Sequence, residues 1–235
     1  MSLGHLLVQR VGKFNFGQKT FPQNMRILYC KTLWGVTAEM GNAPGGYAKL
    51  FARLAADGFN AIETPIWKID SPKEFREALD SVGMEYVAMV NTCTWSPSNG
   101  VGEVNSAPSQ KLPDHLASLE EQVELSKALR PILINSHSGC DLWDLDTSRA
   151  FFAHALALET KTGIKMCHET HRGRILYNPW ITRQLCRDFP ALKLTSDLSH
   201  FCCVAERVFP DTDEDWKTVM VEIVRATHHI HARVG

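Results

Sequence analysis

Short runs of β-branched and apolar residues alternate along this chain with longer stretches whose apolar positions recur every three or four residues. Segments 26–30, 59–64, 84–90, 131–135, 164–169, 192–197 and 229–233 are of the first kind and predict strands. Segments 43–58, 71–83, 112–130, 147–162, 179–187 and 214–226 are of the second kind and predict helices. Start and stop signals agree with these bounds. Ser71 precedes Pro72 at a helix start, and Gly58 and Gly163 follow helical stretches. Between 95 and 109 the chain is crowded with Ser, Asn, Gly and Pro and reads as a loop.

Seven strands alternating with six helices predict an α/β chain: a parallel sheet with helices on its outer faces. No glycine-rich dinucleotide fingerprint follows the first strand, and no phosphate loop with its lysine is present. The stronger expectation is therefore a (β/α)8 TIM-barrel type. Such a barrel takes about 250 residues and eight strands, whereas seven strands are visible in these 235 residues. The eighth reads as absent, on the C-terminal side. Residues 1–25 read as an N-terminal extension that begins with an expression scar, and 26–235 as one domain that is incomplete at its C-terminus. An open ring would expose two strand edges, which points to a homo-oligomer covering the gap.

Composition narrows the partners. Hydrophobic residues make up 44% and charged residues 22%, too apolar and too balanced for a disordered chain. The net charge of -1 supplies no field for nucleic acid or an anionic membrane. No window approaches the roughly 20 apolar residues of a membrane span, and no apolar signal core follows the N-terminus. Seven cysteines, an odd number without a CxxC pair, fit a reducing, cytoplasmic setting and argue against cysteine-held zinc.

The candidate chemistry lies where the strands finish. Glu63, His137, His168, Glu169, His171, Asp197, His200, His229 and His231 all fall at or just past C-terminal strand ends. In a (β/α)8 barrel those ends converge on one mouth, so a set scattered in sequence becomes a cluster in space. Glu169, Asp197 and His231 are the metal candidates, with Glu169 also the catalytic one. Carboxylates with one imidazole suit Mn, Mg, Co, Zn or Fe as divalent ions. Alternation puts His229, His231 and Arg233 on one strand face. His200, His137, His171, Arg172, Glu63, Arg233 and Trp34 are candidates for binding substrate, and Arg174 stands near Arg172. His168 and His229 are candidates for supporting the ligands from behind. For each residue the plain alternative is a packed histidine, a capping carboxylate or a solvated arginine.

These motifs resemble the sugar phosphate isomerase/epimerase family, the xylose-isomerase-like TIM barrels that also include family-2 AP endonucleases. The pieces that carry the resemblance are His168-Glu169-Thr170-His171, Ser196-Asp197-Leu198-Ser199-His200 and His229-Ile230-His231. The resemblance implies a divalent metal held by Glu169, Asp197 and His231, with His200 contacting substrate or a second metal. It implies proton transfer through an enediolate on a small polyhydroxylated compound, a sugar or keto acid. The family's glutamate after strand eight has no counterpart here. Two other readings stay open: an inosose-dehydratase-like lyase, and a non-catalytic or vestigial binding barrel.

Overall fold

The computed structural model describes residues 4–9, 26–33, 46–93, 109–208 and 214–232. Eight strands close into one ring in chain order. They are β1 (Gly4–Gln9), β2 (Arg26–Thr32), β3 (Ala61–Pro65), β4 (Glu85–Asn91), β5 (Leu133–His137), β6 (Met166–Glu169), β7 (Leu194–Ser196) and β8 (Thr227–Ile230). Seven of them, β2 to β8, run parallel, and these are the seven that the pattern predicts.

β1 is the departure. It pairs antiparallel with β2 on one side and with β8 on the other. The ring is thus closed from within the N-terminal stretch that reads as an extension, and no eighth parallel strand stands among the described residues. This corrects the expected open edge: β1 covers it, and the argument for an oligomer built on that edge falls away.

Helices α1 (Gly46–Ala56), α2 (Pro72–Val82), α3 (Leu112–Ser126), α4 (Leu145–Thr162), α5 (Pro179–Asp188), α6 (Leu198–Ala205) and α7 (Glu214–Ala226) follow the parallel strands. Three of them begin on a capping side chain. Asp144 accepts the Thr147 N–H at the start of α4, and Asn178 accepts that of Ile181 at the start of α5. α6 is the helix that the periodicity misses; Asp197 caps it by accepting from Ser199 N.

The core has two parts. The larger lies between sheet and helices, with Phe51, Phe75, Tyr86, Phe151, Phe152 and Phe201 fully buried. The smaller is a plug inside the ring: Leu28, Cys30, Ala61, Val87, Leu133 and Cys167. The outer face of β2 is barely covered, and Tyr29 is 55% exposed there. No helix among the described residues is long and apolar enough to cross a membrane. All seven cysteines are free thiols.

Candidate metal centre

The inner face of the ring changes character within one pleat. Because side chains alternate, the inward residue two positions beyond Ala61 is Glu63, beyond Leu133 is Asn135, and beyond Cys167 is Glu169. A floor of apolar groups is followed at once by a layer of buried polar ones. Glu63, Asn135, Asp197 and His229 are fully buried, and Glu169 and His231 nearly so.

The layer is densely bonded. Asn135 Nδ2 donates to Glu63 Oε1 at 2.8 Å and to Glu169 Oε2 at 2.7 Å. Glu63 also faces His229 Nε2 at 3.1 Å and His231 Nε2 at 3.2 Å. On the other side of its ring, His231 Nδ1 lies 3.3 Å from Glu169 Oε1. His137 Nε2 sits 2.7 Å from Glu169 Oε2. Asp197 Oδ1 accepts from Ser199, and Oδ2 is 3.7 Å from His200 Nε2.

Neighbouring strands fix these side chains through backbone. Thr170 Oγ1 accepts from Asp197 N at 2.9 Å and donates to Asp197 O at 3.0 Å. His231 N donates to Ser196 O, extending the β7–β8 ladder past its last paired residue. Gln122 of α3 grips both N and O of Asn91 at the end of β4. Gly139, at φ 62°, turns the chain just past His137; a Cβ there would come within 2.5 Å of Ile175.

Electrostatics follow from this packing. Burial alone would raise the Glu169 carboxyl, but His137 and His231 outweigh it and hold the group well below the usual carboxylate range. Burial alone would lower His231, yet Glu169 and Glu63 carry it well above the ordinary histidine value. His171 is pushed down to about 3 by burial and by the neighbouring His137, so it is neutral near pH 7. Its Nδ1 donates to Arg172 O, which leaves Nε2 as the acceptor nitrogen.

The sequence candidates thus divide. Glu63, His137, Glu169, His171, Asp197, His200, His229 and His231 come together, with the rings of His137, His171 and His200 in a row at 4.6 and 3.9 Å. His168 does not join them. Regular alternation turns it outward, where it packs on Phe152 and bonds Ser138 Oγ at 2.7 Å, so it supports no ligand of this cluster. Arg172 is exposed. Arg174 is buried and spent on the carbonyls of Thr92 and Gly139, so it is no anion site. Trp34 and Arg233 lie outside the described residues. Asn135 is the member that sequence reading missed. A lone amide within an apolar strand run, two residues before His137 and on the same face, was the available signal.

Among the described residues, three groups have ligand atoms within 4.8 Å of one another: Glu169, Asp197 and His231; Glu169, His171 and His200; and Glu63, His229 and His231. The donor set fits a divalent ion. Thr195 Oγ1 is buried in this layer without a hydrogen-bond partner among the described residues, as an atom facing a coordination space would be.

No family model and no curated protein matches the sequence. Solved structures do match the fold. The probable 3-DHS dehydratase AsbF of Bacillus anthracis aligns at a TM-score of 0.58 and 12% identity, over 86% of this chain and 72% of its own. An AP endonuclease, family 2, of Brucella melitensis aligns at 0.52 and 17%, over 81% and 74%. A xylose isomerase-like TIM barrel protein of Mycobacterium smegmatis, solved with magnesium, aligns at 0.49 and 16%, over 79% and 65%. The chain has a TIM-barrel-type fold like those of the dehydratase and endonuclease structures. Identities this low establish the architecture and leave the reaction to the site.

Proposed function

We propose that this chain is a divalent-metal-assisted enzyme that transfers protons next to a carbonyl on a small polyhydroxylated compound, as an isomerase or epimerase. The observation that carries this reading is the convergence of Glu169, Asp197 and His231 in a buried layer at the C-terminal ends of the strands. A bound ion would supply Lewis acidity to a carbonyl and its neighbouring hydroxyl, favouring an enediolate. Glu169, kept ionised by His137 and His231, is the carboxylate placed to take part in proton transfer. His171 presents a neutral acceptor nitrogen beside it, and the His200 ring lies against that of His171. The balanced charge favours a small substrate over a DNA backbone.

The experiment is metal analysis joined to proton exchange. One divalent ion per chain is expected in the wild type and less than a tenth of that in Asp197→Ala. Ketoses, hydroxypyruvate and inososes incubated in deuterated water should gain deuterium next to the carbonyl only with the metal-loaded protein. Metal-free wild type after loading with Mn, Co, Mg, Zn or Fe would sink the reading.

The likeness to a probable dehydratase favours one second reading. A lyase would begin with the same proton removal and then expel water from the neighbouring carbon. Mass analysis of the product separates the two, since only the lyase product is lighter by one water.

A further inference from the structure

His231 lies between two carboxylates on opposite sides of its ring. Nε2 is 3.2 Å from both oxygens of Glu63, and Nδ1 is 3.3 Å from Glu169 Oε1. Glu63 is wholly buried and has three nitrogens around it: Asn135 Nδ2, His229 Nε2 and His231 Nε2. An ionised carboxylate only accepts, so each of these nitrogens satisfies it by presenting a hydrogen. For His231 that fixes the hydrogen on Nε2 and leaves Nδ1 as the nitrogen that faces Glu169.

Glu63 and Glu169 are bridged by Asn135. The amide nitrogen of Asn135 stands between the two carboxylates and gives one hydrogen to each. A cation cannot share the space those hydrogens fill. Glu63 thus bears on the Glu169–Asp197–His231 group by two links, the Asn135 amide and the His231 ring, and of these only His231 is a ligand candidate.

We propose that Glu63 is the positioning residue of the metal centre: it holds His231 by Nε2–H so that Nδ1 is the ligating nitrogen. This rests on the metal-centre reading of the preceding section. Outer carboxylates that accept from a ligating histidine fix its tautomer and orientation, and losing one typically weakens metal binding 10- to 100-fold. The same arrangement assigns Glu63, His229 and His231 to a hydrogen-bonded hub, although their ligand atoms also lie within 4.8 Å of one another.

The test uses zinc as the probe on the whole chain. Competition with a chelator gives the zinc affinity of the wild type and of Glu63→Gln, and histidine 15N spectra of the zinc-loaded wild type report which His231 nitrogen carries the metal. The expected results are one zinc per chain, at least tenfold weaker binding in Glu63→Gln, and a protonated Nε2 beside a metal-bound Nδ1. A smaller loss in a folded Glu63→Gln, a metal-bound Nε2, or two zinc ions per chain would overturn the proposal. If Glu63→Gln fails to fold, the wild-type spectra decide alone. Wild type that binds no zinc or other divalent ion overturns the metal centre itself. Wild type that binds one zinc with Glu63 indifferent overturns only the role of Glu63.

Discussion

Two buried histidines lie on opposite sides of the same sheet, and their protons behave oppositely. His168 points out from β6 into the layer under α4, where it meets Phe151, Phe152 and one serine hydroxyl. Burial there drives it down to about 3, with Lys193 adding a little. His231, just past β8, points into the ring between Glu63 and Glu169 and is held well above the ordinary value. Both are almost wholly shielded from water. Burial disfavours the charged form in each case, and only the presence of facing carboxylates reverses the outcome. The outer layer treats a histidine as a packing piece, whereas the inner layer treats it as half of an ion pair.

The largest expected break of this contrast is Glu169→Ala. It leaves His231 and His137 buried with one carboxylate fewer, and removing one partner of a buried pair costs about 3–5 kcal/mol. Urea unfolding at pH 7 measures it, and metal binding should vanish in the same variant.

The next effect is a difference in pH response. Over the fall from pH 6.5 to 3 the unfolded chain protonates its histidines while folded His168 does not, so stability drops through that window. His171 adds in the same direction. The inner pair works elsewhere. The contribution of His231 is complete below its unfolded value near 6.5 and is lost as pH rises through its raised folded value. That of Glu169 is complete above about 4.5 and is lost as pH falls through its lowered folded value. Between pH 4.5 and 6.5 the inner pair is therefore intact, and acid sensitivity comes from the neutral histidines. In His168→Gln the loss of stability between pH 7 and 4.5 should shrink by about 2–3 kcal/mol, measured by urea unfolding at both values.

The smallest is Ser138→Ala. It removes the hydroxyl that bonds His168 Nδ1 and should cost about 1 kcal/mol at pH 7. Zinc affinity should stay at the wild-type value, because nothing in the inner layer touches that bond.

The seven parallel strands were legible because a strand buried on both faces writes a nearly continuous apolar run. Their bounds moved by up to three residues, as at β8, which ends at Ile230. Two elements were not legible, each for its own reason. α6 has eight residues, Leu198–Ala205, too few for a helical period to show, and its capping Asp197 was already read as a ligand. β1 is a six-residue run whose partners lie far along the chain, so no local turn announces the pairing. Within the site, parity separated His168 from Glu169 correctly but did not say what lay behind the sheet. Asn135 escaped because an amide inside an apolar run carries no chemistry until two carboxylates are seen on either side of it.

The antiparallel strand that completes the ring gives it one unequal joint. Among the described residues, β1 is matched to β2 over six residue pairs but to β8 by the single pair Leu6 and Ile230, which joins positions near opposite ends of the described chain. The ring thus has a seam, and the residue after Ile230 is His231. The imidazole at the heart of the polar layer follows directly on this antiparallel joint, so a local opening that parted β1 from β8 would begin beside the candidate metal centre.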